Sequence, residues 1–151
     1  MALTAQKVVQ QRIDPFYNYT QAYGSAASVV YYPGGLVCLN SSGYLTKVTA
    51  ATGLNVLGII GPQPDKVLAT SYTAAGTNGA TTMYVQFGEF KFVNSGTAAC
   101  TIANIGDQVF AEDDETVSGT SQSSSLSAMG IMTGLDADGG VWVRVGATSI
   151  T

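Results

Sequence analysis

An internal repeat constrains the fold of this chain more than any other feature of its sequence. When the sequence is shifted by 72 residues, glycine and apolar positions of the first half fall on similar positions of the second half. Each half contains a glycine, a short apolar strand, a polar turn, a second strand and an apolar-Gly-Ile strand. The matched positions are Gly34 and Gly106, Val37 and Val109, Leu45 and Val117, Leu57 and Met129, Gly58 and Gly130, and Ile59 and Ile131. The repeat predicts a pseudo-symmetric barrel in which equivalent strands occupy equivalent places.

From Pro33 onward, short apolar runs alternate with turn signals rich in glycine, asparagine and serine. Many short strands with regular punctuation are typical of β-sandwiches and small barrels. We therefore predict an all-β fold, a small β-barrel or sandwich with two pseudo-repeated strand units. The predicted strands are Leu36–Leu39, Tyr44–Val48, Val56–Ile60, Thr82–Val93, Ala99–Ile102, Gln108–Ala111, Met129–Thr133 and Val141–Val145. Only the stretch Pro64–Ala75 is expected to hold a short helical turn.

Two of these strands carry further information. In Thr82–Val93 the apolar residues change from one parity to the other after Gly88, which predicts a bulge or bend at Gly88 and Glu89. The strand Val141–Val145 alternates cleanly, with its valines facing inward. Trp142 then lies on the outer face, where it either belongs to a contact surface or is covered by an N-terminal arm.

The N-terminal part of the chain differs from the rest. Pro15 blocks a helix there, and five of the eight tyrosines lie between residues 17 and 32 without a clear period. We interpret residues 1–30 as an extended N-terminal arm and residues 31–151 as the β-barrel domain. Because tyrosine combines a large apolar area with a polar tip, these rings either contact a partner or cover the protein's own barrel. The candidate interface residues are Phe16, Tyr17, Tyr19, Tyr23, Tyr31, Tyr32 and Trp142.

The charge balance excludes several classes of partner. Charged residues make up 11% of the chain, and the net charge is −4. Nucleic-acid binding needs a basic stripe that neutralises phosphates, and the sequence has none. No apolar run is long enough for a transmembrane helix, and no apolar h-region of a signal peptide is visible. We expect a protein that is made in the cytoplasm, is not exported by the signal-peptide route, and binds neither nucleic acid nor membrane.

The chain contains no histidine. Histidine is the commonest general base, the commonest metal ligand and the usual partner of a serine or cysteine nucleophile. The sequence therefore predicts a protein that is not an enzyme and that has no catalytic residues, metal or cofactor. Cys38 and Cys100 are its only cysteines. They pair as a disulfide only if their Cα atoms come close, and buried free thiols are the favoured alternative.

Three sets of charged residues have both a functional and a structural interpretation. The run Glu112–Glu115 suits a cation site or an acidic contact patch, but a solvated hairpin tip is favoured. Asp136 and Asp138 resemble the opening of a calcium loop, but the later ligands are missing and a tight turn is favoured. Glu89 and Lys91 share one face of a strand, and the spacing reveals no partner acid or base.

The order and spacing of several short motifs resemble a known family. The motifs are Gly34–Val37, Leu57–Ile59, Ala74–Gly76, Val85–Phe90, Ile105–Phe110, Met129–Ile131 and the closing Val-x-Val-x-Val strand Val141–Val145. In this order, over roughly residues 24–146, the chain resembles the small decoration, or cement, proteins that coat the capsids of tailed bacteriophages.

The resemblance implies a role without catalysis. Such proteins are compact β-domains that bind the outside of an expanded capsid, staple neighbouring subunits and act as trimers or dimers. The expected partner is the major capsid protein, and the expected location is the capsid surface of the virion. Two alternatives remain open. One is another phage structural component, such as a tail, fibre or head-fibre subunit. The other is a ligand-binding β-barrel module, in which tyrosines and Trp142 stack on sugars.

Overall fold

A computed structural model of the chain describes Ala2, Leu3, Ala5 and residues 20–146. The regular secondary structure of this part of the chain consists of β-strands and one 3₁₀ turn at Ile102–Asn104. The strands are β1 (Thr20–Gly24), β2 (Val30–Tyr31), β3 (Leu36–Leu39), β4 (Leu45–Lys47), β5 (Asn55–Ile60), β6 (Tyr72–Thr73), β7 (Thr82–Gln86), β8 (Glu89–Asn94), β9 (Gln108–Ala111), β10 (Thr116–Ser118), β11 (Ser127–Leu135) and β12 (Val141–Val145). The all-β prediction is therefore confirmed. Over the same described residues, no helix has the length and hydropathy needed to cross a lipid bilayer.

The strands form two larger units and a small ribbon. In the first unit the strand order is β1-β7-β5-β3-β4, and a parallel bridge between Ser25 and Leu45 joins its two edges. In the second unit the order is β10-β8-β12-β11-β9, and the sheet closes into a barrel. The ribbon pairs β2 with β6. We call the two larger units the first barrel and the second barrel.

The predicted repeat is present in the strand pairing itself. The β3–β5 pairs of the first barrel reappear 72 residues later as β9–β11 pairs of the second, and the register shift falls at the same place in both. The corresponding pairs are Leu36–Ile59 and Gln108–Ile131, Val37–Gly58 and Val109–Gly130, Cys38–Val56 and Phe110–Ala128, and Leu39–Asn55 and Ala111–Ser127. Each repeated unit builds its own barrel, so the two units do not share one barrel as the sequence suggested.

The repeat extends beyond the three strands that the sequence revealed. Gln86 of β7 pairs with Ile59, as Arg144 of β12 pairs with Ile131. On its other side β7 pairs with β1, as β12 pairs with β8. The bridge between β1 and β4 also has its counterpart in the parallel pairing of β8 with β10. All five strands of one barrel therefore have an equivalent in the other.

Apolar side chains fill both barrels and the contact between them. The valines of β12 are fully buried, as the alternation of this strand predicts. The core of the first barrel includes Tyr31, Val37, Leu45, Ile60, Met83, Val85 and Phe87. The other faces of β3 and β5 share a second cluster with the strands of the second barrel. The members of that cluster from β3 and β5 are Leu36, Cys38, Val56 and Ile59. The two barrels are thus joined through an apolar interface.

The structure corrects three local predictions. The predicted strand Thr82–Val93 is two strands, because β7 ends in the first barrel and β8 begins in the second. The change of parity after Gly88 marks the crossing between barrels, and Gly88 forms the predicted bend there and not a bulge within one strand. The stretch Ala99–Ile102 leads into the 3₁₀ turn and forms no strand. Pro64–Ala75 holds no helical turn, since its only regular element is β6.

The end of the predicted arm belongs to the fold. Strand β1 pairs with β7 along its whole length, and β2 spans the predicted boundary at residue 30. Residues 20–30 therefore contribute to the first barrel. Near the start of the chain, Leu3 is buried and its backbone N–H donates to the carboxylate of Asp114 at 2.9 Å. The division at residue 30 otherwise stays a prediction.

Candidate functional site

The predicted aromatic interface residues have different environments. Tyr31 is 1% exposed and Trp142 is 7% exposed, so this chain itself covers both rings. Tyr23 and Tyr32 are half-buried. For Tyr31, the interpretation that the ring belongs to the protein's own barrel fits the structure, and Trp142 is buried and not exposed on an outer face. The remaining candidates, Phe16, Tyr17 and Tyr19, lie outside the described residues.

Tyr31 closes the first barrel. Its hydroxyl donates to the carbonyl oxygen of Leu45 at 2.6 Å and shares a hydrogen bond with the hydroxyl of Ser25. Ser25 and Leu45 form the bridge between the barrel's edges. Burial raises the pKa of Tyr31 to about 12, although the Ser25 hydrogen bond opposes the shift. Tyr31 is therefore a neutral structural residue and offers no free ring to a partner.

Trp142 lies beside a cluster of charged side chains. It pairs across the sheet with Lys91, whose ammonium lies 2.9 Å from Asp136 and 2.6 Å from Asp138. Lys91 lowers the pKa of both carboxyls, and a hydrogen bond from Trp142 adds to the effect on Asp136. The backbone N–H of Gly140 donates to Asp138, and Gly139 donates to the carbonyl of Asp136. The predicted tight turn is confirmed, and Lys91 fastens it to β8.

The acidic run Glu112–Glu115 forms the tip of the predicted hairpin between β9 and β10, but it is more enclosed than the solvated tip that the sequence favoured. The carboxylate of Asp113 accepts the backbone N–H groups of Glu115 and Thr116, as in a capped turn. Asp114 is buried and accepts the backbone N–H of Leu3. Burial raises the pKa of Asp114, while the Leu3 hydrogen bond opposes the shift. The carboxylates of this run therefore stabilise their own turn and bind the backbone of Leu3.

Both cysteines are buried free thiols, as the sequence predicted. Burial raises the pKa of Cys38 to about 11 and that of Cys100 to about 11. Thiols react as thiolates, so a raised pKa makes both side chains unreactive near neutral pH. Over the described residues, no three side chains of the metal-ligating types lie together.

Among the described residues, the most exposed large apolar side chains lie on a connection that the sequence did not indicate as a contact surface. Residues 61–71, which we call the aliphatic loop, leave the first barrel after β5. Within this loop Val67 is 89% exposed and Leu68 is 86% exposed. Two adjacent exposed aliphatic side chains form a small apolar patch, and burial against a partner would stabilise it. The second barrel has only the tight turn at Asp136–Gly140 at the corresponding place, between β11 and β12.

The aliphatic loop is anchored on the barrel. The buried side chain of Gln63 donates to the carbonyls of Gly61 at 3.0 Å and Tyr84 at 2.8 Å, and it accepts the N–H of Tyr84 at 2.9 Å. Lys66 donates to the carbonyl of Thr82 and pairs with Asp65 at 2.9 Å. The base of the loop is thus fixed while its tip faces the solvent, an arrangement suited to contact with a partner.

A second exposed aliphatic pair lies on the second barrel. Ile102 is 73% exposed and Ile105 is 44% exposed, both in the 3₁₀ turn or directly after it. This segment is also anchored, because the Asn94 side chain donates to the carbonyl of Cys100 and accepts its N–H. The prediction from sequence placed Ile102 at the end of a strand. The signal that it missed is that the run around Ile102 lacks the alternation of a half-buried strand.

Comparison with protein-family models, with curated proteins and with solved structures finds no match for this chain. The features that bear on function are therefore its own surfaces. Foremost among them are the two exposed aliphatic pairs, each held on an anchored connection of one barrel.

Proposed function

We propose that this chain is a non-enzymatic virion structural protein that binds the outer surface of an assembled phage capsid and stabilises it. The partner is the major capsid protein, and the chain acts as a trimer or dimer on the capsid surface. The observation that carries the proposal is the exposure of Val67 and Leu68 on an anchored loop. The choice of a phage capsid as the partner comes from the resemblance of the motif order to capsid decoration proteins.

The energetics of the aliphatic loop favour binding by surface contact. Fully burying a valine or leucine side chain contributes about 1.5–3 kcal/mol. Binding also costs the entropy of ordering a mobile segment, and this cost is smaller for a loop that is already fixed. The three hydrogen bonds of Gln63 fix the base of this loop before any partner arrives. Many such contacts repeated over a shell would add up to firm attachment.

A ligand-binding barrel is less well supported. An eight-stranded barrel has an interior just wide enough to be filled by side chains, and a five-stranded barrel is narrower. In the second barrel the interior residues Val109, Val117, Val141 and Val143 are fully buried against one another. Trp142, a candidate for stacking on sugars, is buried as well. The interior of this barrel therefore offers no room for a ligand.

The proposal is tested by mixing the purified protein with expanded phage capsids that lack decoration. We expect saturable co-sedimentation with the shells and a rise in the temperature at which the shells release their DNA or dissociate. Unexpanded shells serve as a control for surface specificity. Absence of binding at micromolar protein, or binding with no gain in shell stability, would refute the proposal. Antibody labelling of virions distinguishes the head from the tail and fibres as the site of attachment.

A further inference from the structure

Strand β1 forms an exposed edge of the first barrel. It pairs with β7 on one side from Thr20 to Gly24, without a shift of register. On its other side, a single parallel bridge between Ser25 and Leu45 joins the end of this strand to β4. The first three residues of β1 lie before this bridge and are exposed. Among the described residues, no strand pairs with them on that side.

The backbone groups of Thr20 and Ala22 point to this open side. Ser25, directly after β1, donates its N–H to the carbonyl of Thr81, directly before β7. Alternate residues of a strand direct their N–H and C=O groups to the same side. The groups of Gln21 therefore face β7, as those of Ser25 do, and the groups of Thr20 and Ala22 face away from it. Within the part of the chain that the structure describes, nothing hydrogen-bonds to the backbone of Thr20 or Ala22.

The equivalent edge of the second barrel carries charges. The start of β8 also extends past its neighbour, because β10 pairs with it only from Val93 onward. The registers with β7 and β12 match Thr20 with Glu89 and Ala22 with Lys91. Charged side chains on an edge strand oppose pairing with another chain, as do proline and bulges. Strand β1 has the sequence TQAYG and an unbroken register, so it has none of these protections.

We infer that two copies of this chain pair through β1, antiparallel about a twofold axis, and form a dimer with one sheet running through both first barrels. In an antiparallel pair, opposite residues whose backbone groups face each other exchange two hydrogen bonds. Thr20 of one copy lies opposite Ala22 of the other, and the twofold axis repeats this pair. The contact thus satisfies the N–H and carbonyl groups that Thr20 and Ala22 direct away from β7.

The partner is a second copy because this edge complements itself. Strand β1 has no charged residue, so two copies meet there without repulsion between like charges, although the chain has a net charge of −4. The pairing stops before Gly24, because a Cβ atom there would lie 3.3 Å from Gly79 and 3.9 Å from the ring of Tyr44. A twofold contact occupies the same edge in both copies, so association ends at the dimer.

The inference adds to the proposed function the surface through which the chain associates with itself. It selects the dimer over the trimer. The contact forms between copies of the chain alone, so purified protein without capsids is sufficient to test it.

Two measurements on the purified protein test the dimer. In sedimentation equilibrium we expect the mass to rise from one chain towards two as the protein concentration is raised from about 1 μM to about 1 mM. Over the same range, the amide hydrogen exchange of Thr20 and Ala22, followed by NMR, should slow at least about tenfold, because these N–H groups become paired. The N–H of Gln21 faces β7 and should exchange at a rate that does not depend on concentration.

Three variants locate the contact. A22P removes an N–H that points away from β7, so it leaves the hydrogen bonds between β1 and β7 in place. T20K/A22K places like charges opposite each other across the twofold axis. N55K/Q108K adds the same charge at exposed positions of β5 and β9. We expect A22P and T20K/A22K each to weaken dimerisation at least about tenfold, and N55K/Q108K to stay within about twofold of wild type. Circular dichroism and thermal unfolding establish that each variant is folded.

The outcomes distinguish this dimer from the proposed function. A mass of one chain at about 1 mM, or a mass that passes two chains, refutes the dimer. A dimer that T20K/A22K weakens no more than N55K/Q108K uses another surface, and fast exchange of Thr20 and Ala22 in the dimer excludes strand pairing. If the wild-type protein is monomeric but binds shells, decoration stands without the dimer. If it dimerises through β1 but binds no shell, the dimer stands and decoration fails.

Discussion

Gly58 and Gly130 occupy equivalent positions in the two barrels, and in both positions the backbone of the neighbouring strand, β7 or β12, approaches too closely to leave room for a Cβ atom. Each glycine pairs with a valine next to the register shift of its barrel. A Cβ atom on Gly58 would meet the carbonyl oxygen of Gln86, and a Cβ atom on Gly130 would meet that of Arg144. The repeat thus preserves a close approach of backbones as well as the pattern of strands.

Alanine at either glycine should therefore destabilise the fold. We expect G58A and G130A each to lower the free energy of unfolding by about 1–3 kcal/mol, because the added methyl group forces the paired strands apart. The loss should be larger for G130A, since Gly130 also has a φ of +155° that side chains disfavour. Urea unfolding followed by tryptophan fluorescence measures both values.

Gly96 provides the matched control. No atom lies within 4 Å of a Cβ built on it, and its backbone is not in the left-handed region. G96A should leave the urea midpoint unchanged or raise it slightly, because alanine reduces the entropy of the unfolded chain. Equal losses for G96A, G58A and G130A would show that the close approach of strands is not the cause.

Removing the Tyr31 hydroxyl tests the closure of the first barrel. Y31F removes the hydrogen bond to Leu45 and the one shared with Ser25, but the Leu45 carbonyl keeps the N–H of Ala26 as a donor. Because no carbonyl is left unpaired, the cost should be about 1 kcal/mol of unfolding free energy. Y32F removes a hydroxyl from a half-buried neighbour and should change stability little. Equal effects in thermal unfolding would contradict this role of Tyr31.

The strands that the sequence predicted best are those whose burial leaves a clear pattern. Leu36–Leu39, Gln108–Ala111 and Val141–Val145 were predicted with the bounds that the structure has. At least one face of each of these strands packs against the apolar interior, so buried positions in the sequence are occupied by apolar residues. By contrast, β1 begins with three exposed residues and has no apolar alternation to reveal it. The run Ala99–Ile102 has the composition of a strand. The Asn94 side chain, however, hydrogen-bonds to both the N–H and the carbonyl of Cys100, the groups that would pair with a neighbouring strand.

The candidate contact surface was harder to predict than the fold. Aromatic side chains were the candidate contact residues, yet Tyr31 and Trp142 are buried within this chain. Val67 and Leu68 are ordinary residues for a core, and local sequence does not reveal that Gln63 and Lys66 tie the base of their loop to β7 while its tip stays exposed. That information lies in contacts with β7, distant in sequence. The repeat contains a related signal, because the first unit has a long connection where the second has a tight turn.

The two cysteines should resist alkylation in the folded protein. With a pKa of about 11, each thiol of Cys38 and Cys100 is ionised in only about one molecule in a thousand at pH 8. We expect intact-mass spectrometry to find no iodoacetamide adduct on the folded chain without reducing agent. In urea the same sample should gain two adducts. Rapid modification of the folded chain, or a urea sample that gains none until it is reduced, would contradict buried free thiols.

The pH dependence of stability should reveal the Lys91 cluster. Because Lys91 lowers the folded-state pKa of Asp136 and Asp138 below the ordinary value of 3.8, their contribution to stability is present above that value. It is lost as the pH falls through the lower folded-state pKa values. The contribution of Asp114 to stability has the opposite pH dependence, because burial raises the folded-state pKa of its carboxyl. Protonation of Asp114 therefore increases the stability of the folded chain as the pH falls towards 3.8. The two effects occupy different pH ranges, so variants can separate them.

K91M should therefore be less stable than wild type at pH 7, and the difference between their urea midpoints should shrink as the pH falls from about 4 to 2. D136N/D138N should show the same convergence, because it removes the other partners of the same ion pairs. D114N should not change how the urea midpoint varies between about pH 4 and 2. Its effect on stability should appear only at higher pH, because burial raises the pKa of the Asp114 carboxyl. If the difference between wild type and K91M stays constant from pH 7 to 2, Lys91 contributes through packing against the turn and not through its charge.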